Sequence, residues 1–357
     1  MAINTRSTLA AEVNVFLASI LRRLENGPLT ASYFFDNPYA LSTLPEGKGT
    51  GTARFIKTKI LDKGRSTSIA NKKAQITVKQ VARGSNPTPE SWGSEFVDMK
   101  LKRIGNVLSW DDEVGYESPL IVNPQYMMDA IVQQYLNYMD SMALDAMTKV
   151  TVGTGEQNNV QTNIAFADPG NNTDVTTITT AAADKITKLM IDTQLTRLKN
   201  AGIPPLLGPV GATENVGTRP VPAAYGLFCT ETALSDIIAE AGTNWIPAAQ
   251  YNSMQMGDYW PEAGAYYNNS QYAVRVFSSN NGPTLVGAGA SSANVSATII
   301  AGKGAFGKVK SSENFRLVVV NTPDSGNRLA LIESLGWRDL TTMGIVNDHA
   351  CSLLYSR

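Results

Sequence analysis

The stretch from Asn123 to Val150 constrains most strongly what this 357-residue chain can fold into. Asn123 is a good helix N-cap, and Pro124 suits the first helical position, where its missing N–H is not needed. No Gly and no further Pro interrupts the stretch before Gly153. Its apolar residues recur at steps of three and four, which predicts one amphipathic helix roughly 40 Å long. The apolar positions are Met128, Ile131, Tyr135, Met139, Met142 and Ala146.

This helix is not predicted to cross a membrane, because acidic residues such as Asp129, Asp140 and Asp145 lie along it. The start of the chain also lacks the basic segment, apolar run and cleavage site of a signal peptide. Two cysteines, Cys229 and Cys351, form no disulfide framework and match no metal-ligand spacing. We therefore expect the protein to be made and used inside a cell, without a membrane partner.

Residues 5–25 predict a shorter amphipathic helix that ends at Gly27-Pro28. The segment that follows contains Pro38 and Pro45, and it has no helical or strand periodicity. One helix followed by extended chain indicates an arm, although an ordinary N-terminal helix packed on its own core is an open alternative. The apolar face of this helix is formed by Leu9, Val13, Phe16, Ile20 and Leu24.

A basic stretch follows, with nine basic residues and one acidic residue between Thr52 and Arg83. Alternation in ARFIKTKIL and AQITVKQVA predicts a two-stranded ribbon, which we call the basic hairpin. Such a hairpin is marginal alone in water, so its charge predicts an acidic partner, either DNA or another copy of the protein. A solvated hairpin without a partner is the alternative. The predicted contact residues are Arg54, Lys57, Lys59, Lys63, Arg65, Lys72 and Lys73, with Asp111, Asp112 and Glu113 as acidic candidates.

The rest of the chain predicts a mixed α+β protein. Alternation from Phe96 to Val114 indicates a strand that leads into the long helix. A second helix is predicted over 181–201, and AYGLFCT predicts a strand followed directly by a helix. Strands are also predicted over 271–278 and 297–301, and throughout the C-terminal part. The aromatic residues of 244–269 suit either a contact surface or a second core.

Several residues match the motifs of chemical sites only weakly. Gly302 to Gly307 fits the glycine spacing of a dinucleotide loop, but a strand, not the required helix, is predicted to follow. His349 is the only histidine, and no nucleophile motif or metal motif accompanies it. A net charge of −1 gives the whole molecule no general attraction for nucleic acid. We therefore expect no cofactor, no metal and no enzymatic activity.

Taken in order, five segments resemble the major capsid proteins of tailed bacteriophages, which have the Hong Kong 97-type fold. The likeness is greatest to the group typified by the phage N4 capsid protein and runs from about Thr50 to Arg357. It departs from that group's pattern between Met254 and Asn269. The segments are GTARFIKTKIL…QITVKQV, the long helix from Pro124, AYGLFCTETALSDI, GKGAFGKV and LGWRDLTTMGIVNDHACSLLYSR.

The resemblance implies a structural protein whose pentamers and hexamers form an icosahedral shell around double-stranded DNA. The virion would be its location, the host cytoplasm its place of assembly, and portal, scaffolding and decoration proteins its further partners. A nanocompartment shell of the same fold and a DNA-binding protein are the alternatives. The implied parts are an N-terminal arm (1–51), an extended loop with its return strand (52–110), a peripheral domain (111–174) with a spine helix (124–150), an axial domain (175–295), and C-terminal strands (296–357) returning to the peripheral domain.

Overall fold

The computed structural model describes residues 52–57, 95–111, 124–149, 162–209, 221–251, 261–268, 272–310, 316–320 and 332–357. The described part is a mixture of helices and sheets. Its α-helices are α1 (Pro124–Thr148), α2 (Lys188–Asn200) and α3 (Glu231–Ala241). Its strands are β1 (Thr52–Lys57), β2 (Glu95–Lys100), β3 (Lys102–Asp111), β4 (Ile164–Phe166), β5 (Ala224–Cys229), β6 (Trp245–Pro247), β7 (Glu262–Asn268), β8 (Tyr272–Ser278), β9 (Thr284–Leu285), β10 (Val295–Ala301), β11 (Phe306–Lys310), β12 (Arg316–Val320), β13 (Ile332–Ile345) and β14 (Cys351–Ser356).

The larger sheet has eight strands in the order β4-β14-β10-β5-β8-β7-β6, with β9 paired to β10. Every residue of β5, β10 and β14 is buried, as expected for central strands with both faces covered. Helix α2 crosses this sheet: Arg197 donates to the Ser352 hydroxyl on β14, and Asp192 accepts from the Tyr266 hydroxyl on β7. The side chain of Thr230 caps α3 by accepting from the Ala233 N–H.

The smaller sheet is built around β13, a strand of 14 residues. One edge of β13 pairs with β3, and the other edge pairs with β12 and β11 in turn, always antiparallel. Helix α1 lies on this sheet. A single apolar cluster extends from α1 and β13 to β5, β10 and β14, so the described parts of the two sheets share one core.

The prediction of a long helix is confirmed: α1 begins at Pro124 and ends at Thr148. Four of its predicted apolar positions, Ile131, Tyr135, Met139 and Ala146, are buried. Within the described residues, no helix is both long enough and apolar enough to span a membrane.

Two local predictions need correction. Helix α2 begins at Lys188 and not near residue 181, because Thr187 provides the N-cap and accepts from the Met190 N–H. His349 lies in a short 3₁₀ turn over Asp348–Ala350 and not within a strand. The side chain of Asn347 starts this turn by accepting from the His349 N–H.

The strands of the C-terminal part lie in both sheets. Strands β11, β12 and β13 belong to that sheet, whereas β10 and β14 are central in the larger sheet. The difference has a physical reason, because β10 and β14 are buried on both faces and need layers above and below them. The predicted segment 296–357 is therefore divided between the two sheets.

Candidate assembly site

Strand β1, the start of the predicted basic hairpin, pairs antiparallel with β2, from Thr52 opposite Lys100 to Lys57 opposite Glu95. The sequence predicts AQITVKQVA as the partner of this strand, but the described partner is EFVDMK, because the register joins 52–57 to 95–100. We call the sheet of β1 and β2, with the residues it contacts, the ribbon root. Phe55, Val97 and Met99 of the ribbon root are buried against Val346, with exposures of 1%, 5%, 0% and 2%. They form a cluster separate from the main core. A few apolar side chains thus pack the two strands that flank residues 58–94 against Val346 in the rest of the subunit.

Gly307 provides the space for Phe55. A Cβ at this position would lie 2.6 Å from both Phe55 Cε1 and Val346 Cγ2, which is too close for any side chain. Gly304, in the same glycine-rich segment, has a φ of +80° and forms the turn before β11. The strand that follows the glycines is as predicted, and a turn and a close contact account for the glycine spacing.

The register of the ribbon root pairs basic residues with acidic ones. Arg54 lies opposite Asp98, and Lys57 lies opposite Glu95. Two of the predicted contact residues therefore stand at register positions that face acidic positions of the same chain.

Only three of the predicted contact residues lie in the described part of the structure. Arg54 and Lys57 are in β1, and Asp111 is the last residue of β3, where it faces Ile332. The structure therefore does not test whether the basic residues and the acidic candidates come together. The remaining predicted contact residues, Lys59, Lys63, Arg65, Lys72, Lys73, Asp112 and Glu113, lie outside the described residues, as does the predicted strand AQITVKQVA.

The body beneath the ribbon root is held by polar contacts between α1 and β13. The Tyr135 hydroxyl donates to Asp339 Oδ2 over 2.8 Å, and the Trp337 indole N–H donates to Gln134 Oε1 over 3.1 Å. The rings of Tyr135 and Trp337 meet edge to face, with centroids 5.4 Å apart. Burial, followed by the charge of Asp339, raises the pKa of Tyr135, so its hydroxyl remains a donor. These contacts fix the rotation of α1 on the sheet.

A buried ion pair joins β7 and β8 of the larger sheet. The guanidinium of Arg275 on β8 binds both carboxylate oxygens of Glu262 on β7. Tyr251 also donates to Glu262, and burial raises the pKa of that hydroxyl. Tyr251 and Tyr266 are buried, so these two aromatic residues of the 244–269 segment fill a core. Tyr259 and Trp260 lie outside the described residues.

The described residues include the two cysteines and the only histidine of the chain. No group of three or more His, Cys, Asp or Glu side chains among them is arranged to hold a metal. Cys229 and Cys351 are both buried, and burial raises the pKa of the Cys229 thiol, which opposes a nucleophilic role. The His349 side chain is exposed, while its backbone carbonyl accepts from Arg197.

Known structures of similar shape are phage capsids. No protein-family model and no curated protein matches the chain. The capsid of Ralstonia phage GP4 matches with a TM-score of 0.58 and 10% identity, over 88% of this chain and 86% of that chain. The capsid asymmetric unit of cyanophage Pam1 gives 0.54 and 11% identity, over 88% and 87%. The head structure of Helicobacter pylori bacteriophage KHP40 gives 0.52 and 12%, over 85% and 83%.

These matches establish the class of fold. The chain has the fold of phage capsid proteins, which is the Hong Kong 97-type fold that the sequence resemblance implies. Because the identities are near 10%, the likeness concerns fold alone, and the function requires a separate argument.

Proposed function

We propose that this protein is the major capsid protein of a tailed bacteriophage. Its copies would form the pentamers and hexamers of an icosahedral shell that encloses double-stranded DNA, in a structural and non-catalytic role. One observation carries the proposal: the capsid fold covers 88% of this chain and 86% of the matching GP4 chain. The match includes most of the chain, which leaves little of it for a different module.

The ribbon root supports the proposal physically. It anchors the two ends of residues 58–94 to the body through a small apolar cluster around Phe55. A polar segment of this length gains stability by lying on a further surface, and neighbouring copies supply such surfaces in a closed shell. Only 17% of the residues are charged, which suits a protein with several contact surfaces.

Each part of the chain would have the role of the corresponding part in other proteins of this fold. Residues 1–51 would be the arm, 52–110 the extended loop and return strand, and 111–174 the peripheral domain that carries α1. Residues 175–295 would form most of the axial domain, together with β10 and β14. The likeness to the phage N4 group belongs to the same proposal. The virion is the proposed location, with assembly in the host cytoplasm and with portal, scaffolding and decoration proteins as partners.

A nanocompartment shell of the same fold is the main alternative, because its subunit has the same assembly requirements. The contents of the particle distinguish the two. An enzyme enclosed with the purified shell would favour the nanocompartment, whereas nuclease-protected double-stranded DNA in particles from infected cells would favour the phage capsid. A DNA-binding protein would instead show salt-sensitive binding of the free subunit to duplex DNA.

Electron microscopy of the purified protein is the direct test. We expect closed icosahedral particles and, by analytical ultracentrifugation, a species of many copies. A compact monomer at high concentration, in the presence of the phage's own scaffolding protein if it has one, would contradict the proposed function.

A further inference from the structure

Two short connections join the larger sheet to the smaller one. Residues 302–305 lead from β10 in the larger sheet to β11 in the smaller sheet. Residues 346–350 lead from β13 in the smaller sheet back to β14 in the larger sheet. We call these two connections the sheet joint. Because both cross from one sheet to the other, their conformation contributes to how the two sheets are placed.

The two connections are hydrogen-bonded to each other. The Gly302 N–H donates to the Ala350 carbonyl over 2.8 Å. The N–H groups of Val346 and Asn347 both donate to the Ala305 carbonyl, over 3.0 and 3.3 Å. Ala305, Val346 and Ala350 are buried, so the loss of these backbone bonds would be costly. The sheet joint is therefore one bonded unit and not two independent loops.

Arg197 of α2 binds the sheet joint from the side of the larger sheet. Its Nη1 donates to the His349 carbonyl over 3.2 Å, and its Nη2 donates to the Cys351 carbonyl and to the Ser352 hydroxyl, each over 2.6 Å. Its Nε donates to Gln194 Oε1 over 3.1 Å, and this oxygen also accepts from the Ser352 hydroxyl. The planar guanidinium thus fixes several groups at once, which a lysine cannot reproduce.

The ribbon root packs against the other side of the sheet joint. Val346, the first residue of the connection to β14, shares a buried apolar cluster with Phe55 and Met99. Gly307, the second residue of β11, lies against the same Phe55 ring. A displacement of the connection 346–350 would therefore move one wall of the cluster that positions β1 and β2.

We propose that Arg197 is a positioning residue that couples the ribbon root to the larger sheet through the sheet joint. Its hydrogen bonds hold the turn before β14, the Ala305 carbonyl holds Val346 beside that turn, and Val346 supports Phe55. Coupling between separated sites is carried by contiguous contacts of this kind, and it is reciprocal. The inference concerns contacts within one chain and does not depend on the proposed shell function.

Amide hydrogen exchange of the full-length protein tests this coupling, because Arg197→Met keeps the aliphatic stem and removes the guanidinium donors. We expect exchange within 346–352 to accelerate about tenfold. Exchange in the ribbon root, over 52–57 and 95–100, should accelerate about threefold or more, although none of the four Arg197 hydrogen bonds reaches these strands. Exchange in α1 should stay unchanged. Arg338→Met, at an exposed position on β13, is the matched control and should change neither segment.

A double-mutant cycle gives a second readout. The decreases in melting temperature caused by Arg197→Met and Phe55→Leu should add to more than the decrease in the double variant, because both substitutions loosen the same sheet joint. Arg338→Met combined with Phe55→Leu should instead be additive.

Acceleration confined to 346–352 would overturn the inference, and so would additive effects of Arg197→Met and Phe55→Leu. Equal acceleration throughout the protein, α1 included, would also overturn it, because that result indicates global destabilisation. If Arg197→Met does not fold, Arg197→Lys allows the same measurements, since it keeps the charge and loses the planar fork.

Discussion

At the scale of single residues, the contact between Tyr135 and Asp339 illustrates how α1 is fixed on its sheet. Both side chains are 3% exposed, and Asp339 also accepts from the Leu340 N–H over 2.8 Å. A buried carboxylate that loses one of its donors is costly, since no water replaces the bond. Sequence periodicity places Tyr135 on the buried face but does not reveal the partner of its hydroxyl, which comes from a strand about 200 residues later.

We predict that Tyr135→Phe lowers the free energy of unfolding by about 1–3 kcal/mol, because it removes only the hydroxyl donor to Asp339. Urea denaturation of the dissociated subunit measures the change. Tyr138→Phe on the same helix is the matched control, since Tyr138 is 44% exposed and should change stability by less than about 0.5 kcal/mol. Equal effects of the two variants would show that the buried hydrogen bond adds nothing.

Asp184 gives a prediction about pH. Its burial alone would raise the pKa, but hydrogen bonds from Thr179 and Asn172 together outweigh burial and lower the pKa of this carboxyl. The folded pKa is therefore below the unfolded value of about 3.9. The stabilisation is present above the unfolded pKa and is lost as the pH falls through the folded pKa.

We therefore expect Asp184→Asn to lower the melting temperature of the subunit near neutral pH, and this difference from the unaltered protein should shrink between pH 5 and pH 3. Thermal melts at a series of pH values measure it. Asp145→Asn, at an exposed position on α1, is the matched control for loss of a carboxylate outside the core. A difference for Asp184→Asn that is constant with pH would contradict the proposed role of the carboxylate.

At the scale of elements, the sequence predicts best those whose signals are local. Pro124 and an uninterrupted apolar period define α1, and a Thr cap after a buried strand defines α3. The start of α2 was misplaced because the apolar residue Ile186 extends the helical period upstream of the Thr187 cap. The positions of β10 and β14 depend on which layers cover them, and no local pattern contains that information.

The sequence predicts the residue types of the candidate site, but not the contacts that depend on which strands pair. The basic residues are visible in the sequence, but the register of Arg54 with Asp98 depends on which strand pairs with β1. Both AQITVKQVA and EFVDMK alternate, so alternation alone does not identify the partner. Phe55 and Gly307 were missed as anchors. Two features of the sequence indicate that contact. One is a large apolar residue within a basic strand, and the other is a third glycine in GKGAFG that a turn does not require.

Gly307→Ala tests whether the ribbon root depends on this contact. The added methyl would lie 2.6 Å from the Phe55 ring and from Val346, so β1 and β2 must shift, and we expect a loss of about 1–3 kcal/mol. Hydrogen exchange in 52–57 and 95–100 should accelerate more than exchange in α1. Gly208→Ala is the matched control, since no atom lies within 4 Å of its added methyl. Unchanged exchange in the ribbon root would refute the anchoring role.

At the scale of the whole molecule, the predicted basic hairpin has two possible acidic partners, other copies of the protein or DNA, and charge reversal distinguishes them. The test should reverse charge at Lys59, Lys63, Lys72 and Lys73 but not at Lys57, because Lys57 faces Glu95 and a reversal there would place like charges opposite each other within one chain. We expect the fourfold Lys→Glu variant to fold normally and to lose most of its particle yield, measured by electron microscopy and sedimentation.

Reversal of Asp111, Asp112 and Glu113 to Lys in the same chain should restore part of the yield, because opposite charges would again meet between copies. Replacement of the four lysines by Gln controls for the loss of positive charge without repulsion and should give an intermediate yield. If the acidic reversals restore nothing, the hairpin has another acidic partner. If the fourfold variant instead assembles normally but loses binding to duplex DNA, the hairpin contacts nucleic acid and not other subunits.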